Sequence, residues 1–290
     1  MKPHPPKISV IIPYKDAPFE LERLLGALKN QTLKPDEILI IDSSEKNTAS
    51  YLARKAGAEL LRLDPEAFNH GLTRTLAAKK ACGDVLVFFT QDALPAHRRA
   101  LEKLLEALLR SKRAAVYGRQ VAFRAHGLLA FLHRLFNYPP RSREISAQDI
   151  PHLGLRAAFF SNSFSAYWKW ALKEIGWFPE VPALEDQWAA AKLLLAGHRL
   201  AYTARAVVFH SHPFQPKKEF QRFVAAGVFY AQNPWLIEKF GSPQGEGKRY
   251  LSFIIKELKK RRALKLLPYF LGQQIIRLCG YRWGLWKAKS

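Results

Sequence analysis

Two histidines, His210 and His212, stand two residues apart in a stretch that reads as extended, so their imidazoles point to the same side. Far upstream, Thr90-Gln91-Asp92 follows a short apolar run. One imidazole and the Asp92 carboxylate, with further positions open to phosphate oxygens, form a donor set suited to Mn²⁺ or Mg²⁺. The plainer reading makes Asp92 the cap of the next helix and the histidines a strand-end pair. Glu185 and Asp186 are adjacent acids at the start of a helical stretch. They are either complements to a helix dipole, or one of them is a general base for an acceptor hydroxyl. Phe68-Asn69-His70-Gly71 suits a turn, with Arg74 about one helical turn on. Amide groups and a guanidinium in a first helical turn can meet phosphate; the alternative is a simple cap with a surface arginine.

These residues need a scaffold, and the hydrophobic pattern supplies one. Short apolar runs at 8–13, 37–42, 59–63, 85–89 and 115–123 read as strands. Helical spacing covers 19–30, 48–56 with Gly57 as its stop, 73–81, and 96–111. This alternation predicts an α/β fold with a mostly parallel sheet flanked by helices. In such sheets ligands bind beyond the carboxyl ends of the strands. Pro13 and Tyr14, then Asp42 and Ser43, then Gln91 and Asp92 stand there. Beyond residue 124 the pattern predicts a helix over 128–136, broken by Tyr138-Pro139-Pro140, and an aromatic run over 159–170 containing Ser161-Asn162-Ser163. A helix over 183–196 and a strand over 200–209 follow, the strand leading into His210.

Composition limits the function classes. The chain has 290 residues, 48% of them hydrophobic and 12% aromatic, enough for a large buried core. Two cysteines, Cys82 and Cys279, give no disulfide framework. No secretory signal is expected, because the 8–13 run is too short for one. The longest charge-free stretch, 223–237, contains Gln232, Asn233 and Pro234 and is too short to span a bilayer. Neither G-x-G-x-x-G nor a Walker loop occurs, which argues against a dinucleotide dehydrogenase or a P-loop ATPase. Net charge is +22. Over 213–290, sixteen Lys and Arg face four acidic residues, with Trp283, Trp286 and many aliphatics among them. That mixture suits a helical element on an anionic membrane surface. No nucleic-acid recognition module is visible, so specific nucleic-acid binding is not expected.

Taken in order, Ser9 to Pro13, Ile38 to Ser44, Phe68 to Arg74, Phe88 to Ala93 and Glu185-Asp186 resemble inverting family 2 glycosyltransferases, and among them the bacterial rhamnosyltransferases of surface-polysaccharide synthesis. Gly118-Arg119-Gln120, Phe136 to Pro139, Ser161-Asn162-Ser163 and Glu174 to Glu180 also resemble that subgroup. The resemblance implies a Rossmann-like GT-A type catalytic domain over 1–212, its nucleotide-sugar half at about 1–123 and its acceptor half at about 124–212. A basic helical extension over 213–290 would follow. It implies a nucleotide-diphosphate sugar donor, dTDP-rhamnose above others, a divalent cation, a lipid-linked or polysaccharide acceptor, and work at the cytoplasmic face of the membrane. Pro13, Tyr14, Asp42, Ser43, Asn69, Gly71, Arg74, Gln91 and Asp92 would line the donor site, with Asp42 on the base or ribose. Asp92 and His210 or His212 would hold the metal, and Asp186 would be the general base with Glu185 beside it. Three residues depart from the pattern: Gln91 stands where a carboxylate is usual, and Leu72 and Trp177 each replace a common glycine. The alternatives are a nucleotidyl- or phosphosugar-transferase on a similar sheet and a non-enzymatic, basic polyanion-binding protein. Against the first, Pro13-Tyr14-Lys15-Asp16 occupies the place of its glycine-rich loop.

Overall fold

The computed structural model describes residues 4–110, 113–181 and 183–289. The first half runs β1 (Ile8–Tyr14), α1 (Pro18–Lys29), β2 (Glu37–Asp42), α2 (Ser50–Ala56), β3 (Glu59–Arg62), α3 (His70–Lys80), β4 (Val85–Phe89), β5 (Leu94–Pro95), α4 (Ala100–Leu109) and β6 (Arg113–Val121). The second continues α5 (Gly127–Asn137), β7 (Arg143–Ile145), α6 (Ile150–Leu153), β8 (Phe164–Trp168), α7 (Lys169–Glu174), α8 (Glu185–Leu195) and β9 (Arg199–Phe209). Four helices close the chain: α9 (Pro216–Gln232), α10 (Pro234–Phe240), α11 (Pro243–Lys260) and α12 (Leu267–Lys287).

The strands form one sheet in the order β3-β2-β1-β4-β8-β6-β9-β5, with β7 also on β9. Pairing is parallel from β3 to β4 and again between β6 and β9. β8 runs antiparallel between β4 and β6. Alternation along β1 feeds two apolar layers. Val10, Ile12 and Tyr14 pack with Leu21, Leu24 and Leu28 of α1 and Leu101, Leu104 and Leu108 of α4. Ile11 faces the other layer, where Ala77 and Ala78 of α3, Leu172 of α7 and Leu193 of α8 lie. Phe229 and Tyr230 of α9 and Phe240 of α10 complete that second core. The tail is therefore built into the molecule; most of its basic residues lie on the solvent side of packed helices, while Arg277 of α12 pairs with Glu219 of α9.

Several expectations are shifted by the structure. The helix expected over 96–111 starts at Ala100, because β5 claims Leu94 and Pro95 for pairing with β9; its expected end, Ser111, lies outside the described residues. The helix expected from residue 73 starts at His70. The Asn69 side chain caps it, accepting from the Gly71 and Leu72 amides at 3.0 and 3.1 Å. Part of the aromatic run over 159–170 is β8.

Candidate active site

Two local devices bring Asp92 to the histidines. After β4 the chain turns at Thr90–Ala93, then β5 pairs antiparallel with the end of β9, Leu94 opposite Phe209. Continued two positions, that register carries Asp92 to the level of residues 210–212. The second device is a shift in the β6–β9 ladder. Gly118 pairs Thr203, but Arg119 pairs Val207, so three extra residues of β9 bulge out and His210 is held back beside the end of β6. Asp92 Oδ1 then lies 3.5 Å from His210 Nε2, and its Oδ2 lies 3.3 Å from His212 Nε2. One ligand atom from each of the three side chains lies within 4.8 Å of the others.

The charge states suit a divalent ion. Burial pushes His210 below its ordinary value despite the pull of Asp92; burial and the neighbouring His210 do the same to His212. Neutral imidazoles beside an ionised carboxylate are what a cation requires, because only unprotonated donors coordinate. The residues present therefore fit Mn²⁺ or Mg²⁺.

A second cluster sits at the start of α8. Glu185 pairs with Arg74 at 2.8 Å, both side chains almost fully buried at 7% and 4% exposure. Burial opposes ionisation of Glu185, but Arg74, His70 and the hydrogen bonds Glu185 accepts together hold the carboxyl below its ordinary range. The half-buried Asp186 goes the other way: burial and then the Glu185 charge push it up to about 7. Its oxygens accept from the Asn162 amide at 3.1 Å and the Gln187 amide at 2.8 Å. The residue before the pair, Leu184, has φ +64°, a left-handed conformation that re-aims the chain into α8.

The two clusters are joined. His210 Nδ1 meets Gln120 Oε1 at 2.8 Å, and Gln120 Nε2 donates to Ser161 Oγ at 2.8 Å. Ser161 precedes Asn162, whose amide binds Asp186 and whose side chain donates to Glu185 and accepts from Ser165 and Tyr167. Sequence reasoning gave Gln120 and Asn162 no part in the site. Their signal was present in Gly118-Arg119-Gln120 and Ser161-Asn162-Ser163, but the partners are remote in sequence.

The expected donor-site residues divide. Pro13, Tyr14, Ser43, Gln91 and Asp92 lie at or just beyond the carboxyl ends of β1, β2 and β4. Gln91 has a defined contact set: it accepts from the Lys15 amide at 2.8 Å and donates to the Lys15 carbonyl at 3.1 Å. An aspartate could not make the second bond. Asp42 is fully buried, with its oxygens taken by the Ser44 amide at 2.8 Å and Arg62 at 2.5 Å. Arg74, expected in the first turn of its helix, lies instead in the second turn of α3, where it pairs with Glu185 and donates to the His70 carbonyl. Asn69 and Gly71 likewise serve α3. A Cβ on Gly71 would stand 1.8 Å from the Pro179 carbonyl oxygen, so glycine is needed for α3 to meet the loop before α8. Trp177 in that loop has φ +70°, a conformation glycine adopts at less cost.

The chain is similar to known proteins along most of its length. The model of the family described as Glycosyl transferase family 2 matches residues 9–176. The chain is 39% identical to the O-antigen chain rhamnosyltransferase RfbN of Salmonella typhimurium, across 96% of this chain and 89% of that protein. It is 36% identical, over the same shares, to the O-antigen chain rhamnosyltransferase WbaN of Salmonella anatum. Among solved structures it is similar to the mannosyltransferase PcManGT of Pyrobaculum calidifontis in complex with GDP-Man and Mn²⁺. The TM-score is 0.65 at 18% identity, covering 97% of this chain and 88% of that one. S. aureus TarS 1–349 superposes with a TM-score of 0.58 at 16% identity, over 96% and 81%. At these identities the two structures speak for the fold alone, which is that of the GT-A glycosyltransferases.

Proposed function

The chain belongs to glycosyl transferase family 2, and from that premise we propose that it is an inverting rhamnosyltransferase of O-antigen synthesis. Rhamnose passes from dTDP-rhamnose to a lipid-linked or polysaccharide sugar. The observation that carries the mechanism is the Asp92–His210–His212 cluster hydrogen-bonded, through Gln120, Ser161 and Asn162, to a carboxylate with a raised pKa.

Asp92, His210 and His212 would hold the divalent ion, Mg²⁺ or Mn²⁺. When bound, such an ion supplies positive charge against the diphosphate oxygens as the leaving group departs. Asp186 accepts the proton of the acceptor hydroxyl. That oxygen bonds to the anomeric carbon as the bond to the diphosphate oxygen breaks, and one in-line displacement inverts the centre. Glu185, kept ionised by Arg74, maintains Asp186 as the more basic of the two carboxylates. The basic tail holds the enzyme at anionic lipid on the cytoplasmic face, at about 1 kcal/mol per basic residue near the surface.

A thermal-shift panel of dTDP, UDP and GDP, with and without Mn²⁺ or Mg²⁺, tests the donor. Metal-dependent stabilisation by dTDP above the other two supports the reading; equal response to all three nucleotides, or to none, counts against it.

A further inference from the structure

We propose that Gln120 is a positioning residue: it holds the His210 imidazole in the tautomer that can bind a cation, and fastens that ring to the loop presenting Asp186. The proposal rests on the metal reading above and deepens it.

Gln120 is 2% exposed, at the end of β6, where the ladder shift has brought His210 within reach. Its amide is used at both ends. Oε1 can only accept, so the proton shared at 2.8 Å belongs to His210 Nδ1. A neutral imidazole with its proton on Nδ1 keeps the Nε2 lone pair, and Nε2 is the atom 3.5 Å from Asp92 Oδ1. The other end, Nε2 of Gln120, donates to Ser161 Oγ, so one amide ties the imidazole to the 161–163 loop. The Arg134 Nε bond to the His210 carbonyl fixes the backbone of the same residue from another element. Ring and tautomer are thus set by Gln120, and the backbone by Arg134. Outer partners of this kind typically change metal affinity by about 10- to 100-fold when removed.

The link has a second consequence. Ser161 also accepts from the Ser163 amide at 3.4 Å, and Asn162, between them, presents its own amide to Asp186. Freeing Gln120 therefore loosens the acceptor side as well as the metal side.

The test compares the full-length protein with Q120L and Q120E, measuring Mn²⁺ affinity by calorimetry without nucleotide, with circular dichroism and a melting curve to confirm folding. Leucine keeps the bulk and loses both bonds; glutamate still accepts from Nδ1. The expected result is Mn²⁺ binding weakened about 10-fold or more in Q120L and retained in Q120E. Nitrogen-15 NMR of His210 in the metal-free protein gives the second readout, with the proton on Nδ1 in the unaltered chain and in Q120E. Equal Mn²⁺ affinity in all three proteins, or a proton on Nε2 in the unaltered chain, overturns the role of Gln120 alone. Absence of Mn²⁺ binding in the unaltered protein overturns the metal reading, and this role with it.

Discussion

Glu185 and Asp186 are neighbours in the chain with opposite protonation behaviour: both are pushed up by burial, but only Glu185 is paired directly with the Arg74 guanidinium. Arg74 neutralises Glu185, and Asp186 is left to bear both its own burial and its neighbour's charge. A base of this kind must be ionised to work. kcat/KM is expected to rise about tenfold per pH unit below about 7 and to level off above it. D186N should lose turnover by at least about 100-fold while metal and nucleotide binding stay unchanged. The same shift has a stability signature. A carboxyl whose folded pKa lies above its unfolded value near 3.9 favours the fold while protonated, and that contribution fades as pH rises through about 7. The melting temperature of D186N should therefore gain on the unaltered protein between pH 5 and pH 8, as differential scanning calorimetry would register. Gln91 makes a different case. Q91D supplies a carboxylate but forfeits the bond to the Lys15 carbonyl, so urea unfolding should show a loss of about 1 kcal/mol.

The stretch from Asn69 to Arg74 works as a mounting for α8. Asn69 starts α3, Gly71 admits the Pro179 carbonyl, Thr75 exchanges hydrogen bonds with the Phe178 backbone, and Arg74 grips Glu185. G71A pushes a methyl into a backbone oxygen, so α3 or the loop must move. Turnover is expected to fall together with a loss of about 1–3 kcal/mol in stability, read by steady-state kinetics and chemical unfolding. The sequence made most of these elements legible because periodicity is local: Val10, Ile12 and Tyr14 alternate, and Leu21, Leu24 and Leu28 repeat at helical spacing. It hid β5, because two residues carry no period and exist as a strand only by pairing with Phe209 and Val208. It marked Asn69, Gly71 and Arg74 as unusual by type and spacing, but Pro179 against Gly71 and Glu185 on Arg74 lie about a hundred residues on, which no local pattern specifies. The ladder shift that delivers His210 to Gln120 was invisible for the same reason.

At the scale of the whole molecule, the tail is both core and surface. α12 packs against α9 at glycines: a Cβ on Gly284 would lie 2.1 Å from the Val224 carbonyl oxygen, and one on Gly227 lies 2.3 Å from that of Tyr281. The opposite side of α12 exposes Ile275 at 62%, Leu278 at 54% and Trp286 at 57%. No helix among the described residues is long and apolar enough to cross a membrane. An exposed apolar stripe beside Arg282 and Lys287 suits shallow insertion among anionic headgroups. Flotation with phosphatidylglycerol vesicles should recover the protein, neutral vesicles should recover far less, and I275S/L278S should reduce recovery in the first case. Equal recovery with both vesicle types would remove the membrane proposal. The clip between β5 and β9 sets the timing of competence during synthesis. A chain still on the ribosome can lay down β1 to β4 and expose Asp92 long before His210 and His212 have been translated. Until β9 arrives and pairs with β5, the three side chains of the proposed ion site cannot meet.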